Sequence, residues 1–349
     1  MHELRCILIE NARRFEHMQP RDAVKLVYQS TFGPGHMIKE PEQARKRLRC
    51  EMQALSPDSQ PLSEPIGGGF VRVNLRAAKR EGLSPETLGA LFVQSAQEAQ
   101  AAQKKELPLL LLRQLAAEGV LPFGAGELED FLAQYCASGC PALSHSEDYR
   151  AAYAPAYRVV CAKYARLLPL LCALDRALAW GPVSLAIEGR CASGKTTLAD
   201  FLLRVYPGAR VVHMDDFFLP PHMRTGQRLA QAGGNVHYER FLEEAGRGVR
   251  TGEAFSHRVF DCSQGGFSGE RHLPAAALTL VEGSYSMRPE LEPLYTVSVF
   301  LDISPQEQQR RIARRNGPEG LAIFNGRWIP LEERYFQEMD VARRCLFRL

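Results

Sequence analysis

Gly189-Arg190-Cys191-Ala192-Ser193-Gly194-Lys195-Thr196 sets two glycines, a lysine and a threonine at the spacing G-x-x-x-x-G-K-T. Residues of these types at this spacing bind polyphosphate. The glycines let the backbone curl until its N–H groups face phosphate oxygens, and a helix that starts there adds its positive end. The expected nucleotide-binding set is Gly189, Ala192, Ser193, Gly194, Lys195, Thr196 and Thr197. Lys195 is expected to reach the β- and γ-phosphates, and the Thr196 hydroxyl to hold Mg²⁺. The motif follows the apolar run Val183-Ser184-Leu185-Ala186-Ile187 and precedes Leu198-Ala199-Asp200-Phe201-Leu202-Leu203. Strand, glycine loop and helix are the setting that turns the spacing into a nucleotide site.

Two further apolar runs end in acids. Arg210-Val211-Val212-His213-Met214 leads into Asp215-Asp216-Phe217-Phe218, and Ala277-Leu278-Thr279-Leu280-Val281 leads into Glu282-Gly283. In an open α/β sheet, ligands sit beyond the carboxyl ends of the strands, so both acids are expected at the nucleotide. Asp215 is placed to accept a proton from an acceptor hydroxyl or to orient the metal, and Glu282 to hold Mg²⁺, directly or through water, with Thr196. Asp216 is read as a helix N-cap. His213 precedes the acids, and strand alternation turns it away from the face of Met214. In Arg310-Arg311-Ile312-Ala313-Arg314-Arg315, helical spacing sets Arg311 and Arg314 on one face. Guanidinium groups that close over a transferring phosphoryl group stabilise its charge.

These groups need a scaffold. From about residue 181, short apolar runs at 183–188, 210–214, 277–282 and 296–302 alternate with helical stretches at 194–205, 237–246 and 304–316. That rhythm predicts an α/β fold of the P-loop NTPase type, with a parallel sheet flanked by helices. The segment before it reads as mostly helical. Helices are expected at 21–30, from Ser84-Pro85-Glu86 onward, at 106–118 and at 127–137, with a short strand around Val71, Val73 and Leu75. Gly67-Gly68-Gly69 reads as a structural loop, and His36 in Phe32-Gly33-Pro34-Gly35-His36 as a histidine in a turn. A long helix over 157–179, bent at Pro169, is expected to link the parts. The domains are therefore drawn at 1–150, a linking helix at 151–180, and 181–349.

The segment from 183 to about 340 resembles the uridine kinase and phosphoribulokinase family of P-loop kinases. The glycine loop ends Ala-Ser-Gly-Lys-Thr-Thr-Leu, as in uridine kinases. Asp215-Asp216-Phe217-Phe218 is similar to that family's Asp-Ser-Phe-Tyr, whose first Asp is the general base. Phe255-Ser256-His257-Arg258-Val259-Phe260-Asp261 is similar to a Tyr-Asp hairpin that lines the acceptor pocket in uridine and pantothenate kinases. Val281-Glu282-Gly283 resembles the family's Val/Leu-Glu-Gly, and the arginine run resembles its lid. The resemblance implies a kinase acting on a nucleoside or related sugar hydroxyl, with ATP and Mg²⁺. Lys195, Asp215, Arg311 and Arg314 would be its catalytic residues. Asp215, Phe218, His237, Arg258 and Asp261 would meet the acceptor. The chain departs from the family where the acceptor is chosen: Phe218 replaces a Tyr, and Gly233-Gly234-Asn235-Val236-His237-Tyr238 replaces an Asn-Phe-Asp-like segment. The competing class is a non-catalytic ATP-binding switch, in which the first domain reads nucleotide occupancy to control a partner.

Composition narrows the partners. The chain has 349 residues with a formal net charge of +3, which creates no strong field for nucleic acid or membrane. Its longest apolar runs, at 107–112 and 167–174, are too short to span a bilayer. The nine cysteines are scattered, and Cys136 and Cys140 lack a second pair to complete a zinc site. A small-molecule acceptor and a reducing cytoplasm fit best. Residues 1–150 could complete the pocket, mediate self-association or bind an effector.

Overall fold

The computed structural model describes residues 2–38, 40–101, 106–262 and 264–349. It divides into two compact units, Met1–Cys172 and Ala173–Leu349.

The first unit opens with α1 (His2–Arg14), α2 (Pro20–Phe32) and α3 (Pro41–Ala54). Then come β1 (Ser63–Gly67), β2 (Phe70–Asn74), α4 (Leu75–Arg80), α5 (Pro85–Ala101), α6 (Leu109–Ala117), α7 (Ala125–Ala137), α8 (Glu147–Tyr153), β3 (Tyr157–Cys161) and α9 (Ala162–Ala165). The three strands form an antiparallel sheet in the order β1-β2-β3. The glycine triplet makes the β1–β2 turn, as its composition implied. Gly68 has φ +64°, and a Cβ there would lie 1.8 Å from the Ser30 carbonyl oxygen. Ser84 caps α5 as read, its hydroxyl accepting from Thr87 N–H at 3.0 Å. The unit's apolar core joins Leu8, Val24, Val27, Leu112, Leu115, Leu132 and Val159.

The expected linking helix over 151–180 is corrected. Residues 157–161 form β3, paired residue by residue with β2 from Phe70↔Cys161 to Asn74↔Tyr157. Tyr-Arg-Val-Val-Cys is rich in aromatic and β-branched residues, and these suit a pleated surface better than a helix. Helix returns only in α9 and in α10 (Leu168–Leu178). Pro169 falls in the first turn of α10, where its missing N–H costs nothing, and so starts that helix.

The second unit runs β4 (Val183–Gly189), α11 (Lys195–Val205), β5 (Arg210–His213), α12 (Gly226–Leu229), α13 (Tyr238–Phe241) and α14 (Arg247–Thr251). It continues with β6 (Phe255–Asp261), β7 (Gly266–Leu273), β8 (Leu278–Glu282), β9 (Val297–Leu301), α15 (Pro305–Ile323), α16 (Ile329–Glu338), α17 (Val341–Arg344) and β10 (Phe347–Arg348). Five strands pair in parallel in the order β10-β9-β4-β8-β5. Every residue of β4 and β8 is buried, as a strand covered on both faces requires. β6 and β7 form a separate antiparallel hairpin. α15 is interrupted at Gly317 (φ 72°), next to Pro318. No described helix is long and apolar enough to cross a membrane, and none of the nine cysteines is in a disulfide.

Candidate active site

The glycine loop joins β4 to α11. Gly189 has φ +146°, and a Cβ there would lie 2.3 Å from the Leu301 carbonyl oxygen on the neighbouring strand, so only glycine fits. Ala192 adopts φ 61°, a strained value for a residue with a side chain. Gly194 (φ 105°) immediately precedes the first turn of α11. The Ser193 hydroxyl is buried without a hydrogen-bond partner. The Lys195 ammonium lies back over the loop and donates to the carbonyls of Gly189 (2.7 Å) and Arg190 (3.0 Å) and to Ser284 Oγ (3.2 Å). Strained loop, open helix end, unspent hydroxyl and lysine form a cradle suited to phosphate oxygens.

α16 bolts this loop in place. Glu332 accepts from the Cys191 backbone N–H (2.9 Å) and from Ser284 Oγ. Tyr335, one turn on, donates to Glu188 Oε2 at 3.1 Å. Glu188 is fully buried, and burial lifts its pKa to about 7 in spite of the Lys195 charge and the N–H groups of Gly189 and Met287. The thiol of Cys191 is raised to about 12 by burial and by Glu332, so it is not a nucleophile.

Beyond the strand ends opens a cleft of about 1150 Å³, lined by Ala192, Gly194, Lys195, Thr196, Thr197, Asp215, Phe218, Glu282, Arg311 and Arg314, among others. The Thr196 hydroxyl lies 3.4 Å from Glu282 Oε2. His213 Nδ1–H donates to the other carboxylate oxygen, Oε1, at 2.6 Å, and this hydrogen bond raises the pKa of His213. The imidazole thus fixes the orientation of the acid. Strand alternation was read as turning His213 away. The parallel pairing His213↔Glu282 instead places the two side by side at the strand ends. Asp215 opens onto the cleft. The cleft walls withdraw its carboxylate from bulk water and raise its pKa, and the Glu282 charge adds to the rise, while Lys195 and His213 oppose it.

Two hard-oxygen groups, Thr196 and Glu282, meet beside the phosphate cradle, and Asp215 lines the same cleft. The described residues contain no ready-made cage of three His, Cys, Asp or Glu side chains. Hard oxygen donors of this kind would fit Mg²⁺, which keeps several of its waters. Above them, α15 supplies the arginines. Arg311 donates to Glu307 (2.7 Å) and to the Ala192 carbonyl (3.2 Å), so it already touches the loop. Arg314 lines the cleft.

The acceptor-side expectations divide. Phe218 lines the cleft beside Arg224, Leu229, Asn235 and Cys262. His237 and Arg258 do not. His237 caps α13, its Nδ1 accepting from Arg240 N–H at 3.2 Å. Arg258 is held by Glu244, whose oxygens take its Nε (2.6 Å) and its backbone N–H (2.9 Å). Asp261 ends β6 next to the lining residue Cys262. Asp216 is a tie rather than a helix cap. Its Oδ2 accepts from His257 Nε2 and from Arg271, both at 3.0 Å, and so anchors the hairpin. Ser284, Glu332 and Arg224 escape a reading of the sequence, His213 is reached there only as turned away, and Asn235 only as part of the segment 233–238. None of them stands in a spaced motif, and the first two act through contacts made only on folding. Asn235 shows the clearest signal, since it lines the cleft with its amide beside the Tyr285 hydroxyl and with the amide nitrogen in no full hydrogen bond.

No family model matches the chain. The chain is 29% identical to nicotinamide riboside kinase 2 of Homo sapiens over 162 residues, spanning 44% of this chain and 67% of that protein. To nicotinamide riboside kinase 2 of Mus musculus it is 30% identical over 164 residues, spanning 45% of this chain and 80% of that protein. Among solved structures it is similar to one described as a possible uridine kinase from Bacillus stearothermophilus, with a TM-score of 0.39 and 19% identity. That likeness covers 52% of this chain and 98% of the other.

Proposed function

Since the chain belongs to the uridine kinase-like P-loop kinases, we propose that it transfers the γ-phosphoryl group of ATP to a hydroxyl of a nucleoside or a related sugar. One observation carries the reading: a phosphate cradle, an acid open to the cleft and lid arginines line a single cavity. A switch that only binds ATP needs the first of these and not the second.

In this reading the loop amides and Lys195 hold the β- and γ-phosphates, and the Ser193 hydroxyl spends its unused hydrogen bond there. Thr196 and Glu282 hold Mg²⁺, with His213 orienting Glu282. Held there, the ion would supply positive charge against the phosphates. Asp215 accepts the proton of the acceptor hydroxyl as it attacks. Arg311 and Arg314 stabilise the charge spread over the transferring group. Phe218 and Asn235 frame the acceptor, the ring as a flat apolar wall and the amide as a donor to a hydroxyl. A riboside is the first acceptor to try, because the relatives are described as nicotinamide riboside kinases. The test is ADP release from ATP and Mg²⁺ in the presence of nicotinamide riboside, uridine and simple sugars in turn. Stimulation by at least one acceptor supports the reading. ATP binding without stimulation by any of them favours the switch.

Two predictions belong here. A general base must be ionised, so activity rises with pH through its pKa. The pKa of Asp215 is raised, so the acid limb of kcat/KM is expected above the ordinary aspartate value of about 3.9. A limb at or below that value contradicts the role. The second concerns the acceptor. Asn235→Ala is expected to lower acceptor kcat/KM on the order of tenfold, the loss of about one hydrogen bond. His237→Ala and Arg258→Ala should each stay within about threefold, because their side chains are engaged within the fold. Acceptor titrations of the three variants decide; larger losses at 237 or 258 than at 235 would reverse the assignment.

A further inference from the structure

α2 presents Asp22, Lys25 and Gln29 at i, i+3 and i+7, so one stripe of the helix is polar. It is nonetheless buried: Asp22 is 2% and Gln29 1% exposed, as is Arg72 at 3% on β2. Buried ionic clusters are a poor source of stability, and groups that break the burial rule concentrate at functional sites.

Asp22 is fully committed. Its oxygens accept from His145 Nδ1–H (2.7 Å), Ser146 N–H (3.0 Å), Ser146 Oγ–H (2.6 Å) and Gln19 N–H (3.1 Å). Burial and the charges of Lys25 and Arg72 keep His145 neutral, with its pKa near 4. Its proton therefore sits on Nδ1, and Nε2 accepts from the Tyr157 hydroxyl at 2.7 Å. Gln29 Oε1 accepts from Arg72 Nη2 (2.9 Å) and Nε (3.2 Å). Arg72 also lies 4.5 Å over the Tyr157 ring, and its nearest carboxylate, that of Glu64, is 3.5 Å away. The acceptors of the cluster are spent.

The donors are not. The Gln29 amide nitrogen is buried with no hydrogen-bond partner. Among the described residues the Lys25 ammonium makes one hydrogen bond, to the Leu143 carbonyl at 3.1 Å, with one of its three N–H groups. Positions 25 and 29 are one turn apart on the same face of α2. Unspent capacity of donors alone, beside two cations, calls for an oxygen-rich anion.

We propose that the first unit carries a second ligand site, in which Lys25 and the Gln29 amide bind a phosphate group beside Arg72 and the Tyr157–His145–Asp22 chain. Two cations, against one fully hydrogen-bonded aspartate and the more distant Glu64, favour a doubly charged anion over a carboxylate. The phosphate group comes from inorganic phosphate or from a phosphate monoester. The site is independent of the reaction proposed for the second unit.

The His145 ring reports on it directly. Its NMR signals, identified by their loss in His145→Asn, are followed in the full chain while phosphate is titrated against chloride at equal ionic strength. Ribose 5-phosphate and acetate are titrated in parallel. Saturable shifts with phosphate or with the monoester are expected, the tighter of the two identifying the source. Lys25→Met should weaken the response at least tenfold, measured from that variant's own ligand-free His145 signals, and Lys25→Arg should hold it within about threefold of the parent. No saturation by either phosphate probe, saturation by acetate at similar concentrations, or a Lys25→Met chain that titrates like the parent would overturn the proposal. If Lys25→Met fails to fold, the probe titrations of the parent and of Lys25→Arg still decide.

Discussion

Asp215→Asn is expected to lower kcat for acceptor phosphorylation by about 10²–10⁴, the usual contribution of a general base. The substitution keeps the shape of the side chain and removes its ability to take a proton. ATP affinity should change little, because the phosphate cradle is built from the loop at 189–197 and not from this side chain. Asp216, one residue on, cannot take over. Its carboxylate is held by His257 and Arg271. The two measurements to make are kcat at saturating acceptor and the dissociation constant of ATP. A variant that loses ATP binding while keeping its rate per bound ATP would make Asp215 a metal ligand instead.

Lys195→Ala is expected to cost about 2.7–4 kcal/mol of transition-state stabilisation, or about 10²–10³ in rate. The ammonium is the charge nearest the transferring group in the proposed arrangement. Its present partners are two loop carbonyls and the Ser284 hydroxyl, all at the edge of the cleft. Water can replace it there, so the fold should survive, as a thermal melt would show. Near-normal ADP release by a folded Lys195→Ala chain would mean that the cradle has been misassigned.

Much of this site could be read from the sequence because its parts follow one another along strands. A buried parallel strand must be apolar, so an acid at its carboxyl end stands out, and Asp215 and Glu282 were found in that way. The glycine loop declares itself through positions that tolerate no Cβ. What escaped lies in contacts between distant segments. Glu332 reaches the Cys191 amide and Ser284 from a helix that carries no motif. His213 was misjudged because alternation within one strand says nothing of the neighbour opposite, here Glu282. His237 and Arg258 show the reverse error. Polar groups near an expected pocket were assigned to a ligand, whereas a cap and a glutamate had already claimed them. In the first unit, the apolar residues of β3 fit the helix period as well as the strand period over so short a run, and only the pairing with β2 decides.

Transfer of a phosphoryl group to an acceptor hydroxyl can be followed by phosphorus NMR of the reaction. With ATP, Mg²⁺ and nicotinamide riboside, a phosphate-monoester signal is expected to grow, matched one for one by ADP, and to be lost in Asp215→Asn. ADP that accumulates only with inorganic phosphate, for nicotinamide riboside and for every other nucleoside or sugar supplied, would contradict it.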